Sequence, residues 1–234
     1  MAPQAFLIDL DGTLADSEPL KGLALAETCA GYGGTVSAER YVDVMGEDWP
    51  TVTSHFFKCA GISPDYDEFN THFRVRYLQL LEERVVLTHG AKEFIAAAKA
   101  GGIKIALVSS AAPWMVEKVL DKLQLNDVFD LVITQEHVTK HKPDPEAYLL
   151  ALARLDLDAA TVMVFEDSTA GLKAAAGAGC KSIAIAHHFN ANHDKSLARL
   201  VVADFTELMI DNSTIADFDT LSVLTHNVTA PQPS

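Results

Sequence analysis

The chain has 234 residues, with 18 Lys and Arg against 32 Asp and Glu, so its formal net charge at pH 7 is −14 with histidine neutral. This acidic balance, without a basic cluster, argues against a nucleic-acid-binding protein, because a phosphate backbone attracts a basic face. Apolar residues make up 49% and charged residues 21% of the chain, which excludes a wholly disordered protein.

Five short apolar runs, each ended by polar residues or glycine, predict β-strands. These runs are 5–8, 103–108, 131–134, 162–165 and 182–186. Helical spacing lies between the last four runs, over 113–123, 145–154 and 169–178. Strands that alternate with helices predict right-handed crossovers and a parallel sheet covered on both faces. The predicted fold class is therefore α/β, with a doubly wound, Rossmann-like core.

A long interval separates the first predicted strand from the second, and most of it has helical spacing. The predicted helices in this interval are 20–30, 49–59 and 69–83, and 90–100 is the first helix after it. An insert of this length forms a small helical domain. We therefore predict a core formed by 1–15 and 87–225, a helical domain over 16–86 and a flexible tail over 226–234.

Two carboxylates follow the first predicted strand, in Asp9-Leu10-Asp11-Gly12-Thr13. In an extended chain, residues i and i+2 face the same side, so Asp9 and Asp11 can both point at one reacting centre. The alternative is that Asp11 and Gly12 form only a turn, which is a common use of this dipeptide.

Other polar residues also lie at the ends of predicted strands. Ser109 and Ser110 end the second strand, Lys142 precedes a proline and a helix, and Glu166 and Asp167 end the fourth strand. Open parallel sheets bind their ligands at the carboxyl ends of the strands. The sequence therefore predicts one site built from all of these segments.

These motifs, in this order, resemble those of the haloacid dehalogenase superfamily. They are Asp-x-Asp-Gly-Thr-Leu, a serine after a strand, Lys-Pro and Glu-Asp-Ser-x-x-Gly, and the likeness extends from Phe6 to about Ala203. The insert resembles the small helical cap of that superfamily, and residues 14–18 resemble the cap junction of its β-phosphoglucomutase and sugar-phosphate phosphatase branch. The resemblance implies a Mg²⁺-dependent phosphatase for a small phosphorylated metabolite, of the sugar or polyol phosphate class, acting through an aspartyl phosphate.

The resemblance also implies roles for the acids. Asp9 is the expected nucleophile, and Asp11 is expected to protonate the leaving oxygen and later to activate water; exchanged roles are the alternative. Mg²⁺ prefers oxygen ligands and would offset the repulsion between these acids and a phosphate. Its expected ligands are Asp9, Asp167 and the backbone carbonyl of Asp11, with Glu166 bound either directly or through water.

Phosphate oxygens are expected to bind Ser109, the backbone N–H of Ser110 and the ammonium group of Lys142. Lys140 is the rival of Lys142, which we favour because the lysine of the family directly precedes proline. Ser109 has a structural alternative, in which its hydroxyl caps a helix.

Departures from the family pattern bear on the substrate. Asp11 argues against carbon–halogen cleavage, whereas a Schiff-base reaction of Lys21 with a phosphonate stays an alternative. In β-phosphoglucomutases, a His and an Arg stand where this chain has Lys21 and Trp49, which disfavours a sugar-phosphate mutase because such an enzyme needs a cation for its distal phosphate. A non-catalytic phosphate-binding protein is the remote alternative. The residues expected to touch the far end of the substrate are Lys21, Glu47, Asp48 and Trp49, although a solvated cap face explains them as well.

A histidine-rich segment, with His187, His188, His193 and Asp194, is predicted to be an exposed loop and not a metal site. The chain has neither a long apolar run nor a secretory signal pattern. We therefore expect a cytoplasmic monomer or weak homodimer, with a small phosphorylated substrate and without a nucleic-acid or membrane partner.

Overall fold

A single parallel sheet forms the centre of the protein. The computed structural model describes residues 3–208. Its strands are β1 (Ala5–Ile8), β2 (Lys104–Val108), β3 (Leu131–Ile133), β4 (Val162–Glu166), β5 (Lys181–Ile185) and β6 (Leu200–Val202). They pair in the order β3-β2-β1-β4-β5-β6, and every pairing is parallel. The predicted doubly wound α/β core is confirmed, and its strand order reverses beside β1, where such sheets bind ligands.

Helices lie between the strands and in the insert. They are α1 (Glu18–Gly31), α2 (Trp49–Ala60), α3 (Tyr66–Arg84), α4 (Ala91–Ala100), α5 (Pro113–Leu123), α6 (Glu146–Leu155) and α7 (Thr169–Gly177). The first three form the predicted helical insert, which we call the cap. The chain enters and leaves the cap side by side, because Ala15 and Leu87 form an isolated antiparallel bridge. The cap boundaries of 16 and 86 stay a prediction.

Alternate residues of each strand face opposite sides of the sheet and build two apolar layers. On one side, Phe6 and Phe165 pack with Phe94 of α4 and with Phe205, at ring-centroid distances of 5.1 to 5.6 Å. On the other side, Leu7 and its neighbours pack mainly against α6 and α7. Because both faces are covered, the strands are mostly apolar, although β2 and β5 begin with the exposed residues Lys104 and Lys181.

The largest differences from the predicted elements are at β6 and at the start of α3, and the other bounds shift by at most two residues. Strand β6 was not predicted, because it is a three-residue edge strand in which Val201 is 46% exposed, so no apolar run marks it. Helix α3 begins at Tyr66, earlier than predicted, because the Asp65 side chain accepts hydrogen bonds from two backbone amides of the first turn. The predicted tail and the end of the predicted core, beyond residue 208, lie outside the described residues. Within residues 3–208, no helix combines the length and the apolarity that crossing a bilayer requires.

Phe94→Ala should lower the free energy of unfolding by about 3–5 kcal/mol, because it leaves a cavity among buried aromatic rings. Phe94 is 1% exposed, whereas Val75, on the surface of α3, is 54% exposed. Val75→Ala is therefore the control and should change stability by no more than about 0.5 kcal/mol. Urea unfolding of both variants measures the difference, and equal effects would contradict this account of the core.

Candidate active site

A cavity of about 710 Å³ lies between the carboxyl edge of the sheet and the cap. The predicted site residues that line it from the core are Asp9, Asp11, Ser110, Lys142 and Asp167. Those that line it from the cap are Lys21, Glu47, Asp48 and Trp49. The structure therefore brings the core motifs and the cap candidates to one cavity.

Three buried carboxylates form the floor of this site. Oxygen atoms of Asp9, Glu166 and Asp167 all lie within 4.8 Å of one another. Burial raises the pKa of Asp9 well above its ordinary value, and Glu166 and Asp167 add to this effect while Lys142 opposes it. Burial, followed by the charge of Glu166, likewise raises the pKa of Asp167. Acids crowded in this way need positive charge nearby in order to ionise.

Lys142 supplies one such charge. Its Nζ donates to Asp9 Oδ1 and to Glu166 Oε1, both at 2.6 Å, and to the Val108 carbonyl at 3.0 Å. These contacts use all three N–H groups of the ammonium. Burial alone would lower the pKa of Lys142, but Asp9 and Glu166 raise it above its ordinary value, so the side chain stays charged. The rival residue, Lys140, has a side chain that is 73% exposed.

Glu166 is saturated with hydrogen bonds from the protein. Its Oε1 accepts from Lys142 and from the Tyr148 hydroxyl, the latter at 2.7 Å. Its Oε2 accepts from the backbone N–H groups of Asp167 and Ser168 at 3.1 and 3.3 Å, and from Ser168 Oγ at 3.1 Å. A carboxylate has about four lone-pair sites, so these five donors leave little room for a direct metal bond. Of the two predicted roles of Glu166, the geometry favours a water-bridged one.

Two motif glycines make room for the acids. Gly12 has φ +73°, and a Cβ there would lie 2.3 Å from Asp167 Oδ2 and 2.8 Å from His187 Nε2. A Cβ on Gly171, in the first turn of α7, would lie 1.9 Å from the carboxyl carbon of Glu166. Any side chain at either position would therefore displace a carboxylate.

Asp11 faces the junction with the cap. Its Oδ1 accepts a 2.5 Å hydrogen bond from Ser17 Oγ and lies 3.8 Å from Lys21 Nζ. Ser17 precedes α1, but its side chain makes no hydrogen bond to the helix and binds Asp11 instead. Lys21 also pairs with Glu18 at 3.2 Å. The first turn of the cap therefore contacts the acid that the sequence assigns to proton transfer.

The two serines after β2 differ in environment. Ser109 is buried, and its Oγ accepts a 3.0 Å hydrogen bond from the Ala111 amide, which precedes α5. The structural alternative, in which this hydroxyl caps a helix, is wrong, because the N-cap residue of α5 is Ala112 and no side chain caps that helix. The Ser109 hydroxyl still has its own proton to donate. Ser110 is exposed and lines the cavity directly.

The cap candidates Glu47, Asp48 and Trp49 differ in their exposure and in their hydrogen bonds. Glu47 and Asp48 are exposed, and Asp48 Oδ1 accepts a 2.8 Å bond from a backbone amide that begins α2. Trp49 is half-buried, and its Nε1 donates to Asn70 Oδ1 at 2.7 Å. Trp49 therefore presents a fixed aromatic surface to the cavity, whereas Asp48 has a structural role of its own.

The prediction of an exposed histidine loop is wrong for two of its residues. His188 is exposed, but His187 and His193 are half-buried beside the acidic site. His187 Nε2 lies 2.9 Å from Asp167 Oδ2, and His193 Nδ1 accepts a 3.3 Å bond from the Thr169 amide. Burial lowers the pKa of both imidazoles. The sequence signal that would have indicated this placement is the position of both histidines after β5, because the carboxyl end of β5 lies beside that of β4.

Two further residues of the site were not predicted. Tyr148 lies on the apolar face of α6, and an apolar pattern cannot show that its hydroxyl reaches Glu166. Arg74 lies in α3 of the cap and lines the cavity. Its guanidinium lies 4.5 Å from the centroid of the Trp114 ring in the core. Only the packing of the cap on the core reveals this contact.

Comparisons with known proteins agree with this geometry. Residues 6–185 match the family model of the haloacid dehalogenase-like hydrolases. A phosphorylated carbohydrates phosphatase of Thermotoga maritima is 30% identical over 188 residues, which are 80% of this chain and 87% of that protein. Hexitol phosphatase B of Escherichia coli O157:H7 is 31% identical over 207 residues, which are 87% of this chain and 93% of that protein.

Crystal structures of CbbY from Rhodobacter sphaeroides are also similar. The complex of CbbY with phosphate has a TM-score of 0.78 and 28% identity, and covers 88% of this chain and 96% of that chain. A mutant of CbbY in complex with xylulose-(1,5)bisphosphate has the same TM-score and 27% identity, with the same coverage. The motifs, the capped α/β fold and the family match agree, and the chain belongs to the haloacid dehalogenase-like hydrolase family.

Proposed function

We propose that the protein is a Mg²⁺-dependent phosphatase that hydrolyses a small sugar or polyol phosphate through an aspartyl phosphate. The observation that carries the proposal is the placement of Asp9, which Lys142 binds at 2.6 Å, beside Asp11 at the floor of the capped cavity. The similarity to a carbohydrate phosphatase and a hexitol phosphatase supports the same reaction class.

The acidic residues fit a divalent cation. Asp9, Asp11, Glu166 and Asp167 offer hard oxygen donors, and Lys142 contributes one positive charge against them. Asp9, Asp167 and the backbone carbonyl of Asp11 would hold the cation, with Glu166 bridged through water because its oxygens already accept bonds from the protein. A bound Mg²⁺ would supply the positive charge that lets a phosphate dianion approach these carboxylates.

Asp9 and Asp11 divide the reaction between them. A carboxylate oxygen of Asp9 attacks phosphorus, the bond from phosphorus to the leaving oxygen breaks, and protonated Asp11 donates its proton to that oxygen. Asp11, now ionised, then takes a proton from a water molecule that attacks the aspartyl phosphate, which releases phosphate and restores Asp9. Ser110 and Ser109 follow β2 at the same sheet edge, where they can bind phosphoryl oxygens.

The cap side of the cavity suits a leaving group rich in hydroxyls. Glu18 Oε1 accepts from Lys21, whereas Oε2 is buried with no hydrogen-bond partner among residues 3–208. A buried carboxylate oxygen without a donor is costly, and because Glu18 lines the cavity, a substrate hydroxyl that packs against it would offer the missing donor once the side chain turns toward it. Trp49 and Trp114 add aromatic surfaces, against which the C–H face of a sugar or polyol can pack.

The structure also bears on the alternative reactions. Burial alone would lower the pKa of Lys21, but Asp11 and Glu18 hold it well above its ordinary value, so the side chain is an ammonium and a poor Schiff-base nucleophile. This disfavours phosphonate cleavage. Arg74, in contrast, places a cation at the cavity, so the arginine missing at position 49 counts less against a sugar-phosphate mutase, which we keep as the second candidate.

Phosphate release from a panel of sugar, polyol and carboxylic acid phosphates tests the proposal. We expect turnover with Mg²⁺, loss of turnover with EDTA, and a decrease of about three orders of magnitude or more for Asp9→Asn, because the nucleophile is removed. Full activity of Asp9→Asn would contradict the mechanism. Interconversion of sugar 1- and 6-phosphates would favour the mutase, and binding without turnover across the panel would favour a phosphate-binding protein.

Lys142→Ala should lower kcat/KM by about 10²- to 10³-fold, because it removes a charge that acts on Asp9 in a water-poor site. Lys140→Ala, which removes an exposed ammonium two residues away, is the matched control and should retain the activity of the unmodified protein. Steady-state kinetics of both variants with the best substrate of the panel measure the effect. A larger loss in Lys140→Ala would show that the catalytic lysine had been assigned to the wrong position.

Glu18→Gln should raise KM for a sugar or polyol phosphate about tenfold, because it weakens a hydrogen bond from a substrate hydroxyl to a charged acceptor. KM for acetyl phosphate, whose leaving group has no hydroxyl, should change little. Glu83→Gln, at an exposed position of α3 that does not line the cavity, is the control. An equal rise in KM for both substrates would show that Glu18 does not recognise hydroxyls.

A further inference from the structure

A short loop after β5 is fixed against the acidic site. Asn190 is fully buried, and its Nδ2 donates to the carbonyls of Asp167 and Ile185 at 2.9 and 2.8 Å. Its Oδ1 accepts a 2.9 Å bond from the backbone N–H of His187. Asn190 therefore joins the backbone of His187 to that of Asp167, and the segment that carries the imidazole is held by buried contacts.

The imidazole of His187 contacts the carboxylate of Asp167. Nε2 lies 2.9 Å from Oδ2, and the His187 side chain is 24% exposed, whereas that of Asp167 is 3% exposed. When Asp167 is ionised its Oδ2 can only accept a hydrogen bond, and Nε2 then carries the proton in this contact. The absence of a side chain at Gly12 is what permits this approach, since a Cβ there would overlap both groups.

The three buried acids have different partners. Lys142 binds Asp9 and Glu166, and the side chain of Asp167 instead meets His187. The Asp167 carboxylate therefore has Oδ2 beside an imidazole nitrogen and belongs at the same time to the buried acidic cluster. A ligand whose second oxygen is held by a neighbouring donor has its orientation fixed before the metal binds.

We propose that His187 is a positioning residue of the cation site, which holds Asp167 Oδ2 and so fixes the orientation of a carboxylate that would bind the metal. This inference rests on the proposed function for the presence of a divalent cation. It assigns a role to a residue that lies outside the four sequence motifs. His187 touches neither the phosphate nor the reacting atoms in this role, and it acts only through Asp167.

Mn²⁺ binding, followed by electron paramagnetic resonance without substrate, tests the proposal. His187→Ala should weaken Mn²⁺ binding by about 10- to 100-fold, as loss of a partner of a metal ligand does. His187→Gln should retain most of the affinity, because its amide N–H can reach the position of Nε2, whereas His187→Asn is one methylene shorter and should behave like His187→Ala. His188→Gln is the matched control, because His188 is exposed and contacts Glu39 of the cap at 2.7 Å.

The outcomes separate the inference from the proposed function. Equal Mn²⁺ affinities for His187→Ala and the unmodified protein would overturn the role of His187 and leave the phosphatase proposal intact. Absence of Mn²⁺ binding by the unmodified protein would overturn both. Thermal unfolding without metal shows whether a substitution disturbs the fold. If His187→Gln and His187→Asn unfold at similar temperatures but differ in Mn²⁺ affinity, the positioning role is supported. If their Mn²⁺ affinities are equal, the positioning role is overturned.

Discussion

One buried ammonium group joins the three strands on which the site depends. Lys142 Nζ binds the acid after β1, the acid at the end of β4 and the last carbonyl of β2, at 2.6, 2.6 and 3.0 Å. These strands are neighbours at the point where the strand order reverses. Because Asp9 and Glu166 are buried, removing this cation would leave both carboxyl groups without an ion-pair partner in a poorly solvated site. Lys142 therefore contributes to the fold and to the proposed chemistry through the same contacts.

The cap contacts the site through its first helical turn. Ser17 and Lys21 both meet Asp11, so the proposed proton donor lies where the core and the cap join. Arg74 makes a second contact between the two parts, over the ring of Trp114. Any movement of the cap would change the surroundings of Asp11 directly, which gives a physical route from binding of the leaving group to proton transfer.

Local sequence patterns predicted the core of this protein well, and the reason is physical. Strands such as β1 are buried on both faces, so each appears in the sequence as a short apolar run. The polar residues that directly follow such a run lie at the carboxyl edge of the sheet. Strand β6 lacks this signal because it is short and partly exposed. The histidine loop was wrongly predicted as exposed because its burial arises from contacts with Asp167 and Thr169, which are distant in sequence.

The sequence by itself determined the fold class, the helical insert and the chemical character of the site, because periodicity and motif order depend on neighbouring residues. Only the tertiary structure decided which groups meet. Lys142 lies between Asp9 and Glu166, and Ser109 Oγ accepts a hydrogen bond from a nearby backbone amide. His187 contacts Asp167. These outcomes depend on distances between segments far apart in the chain, which strand pairing and helix packing set and which no local pattern contains.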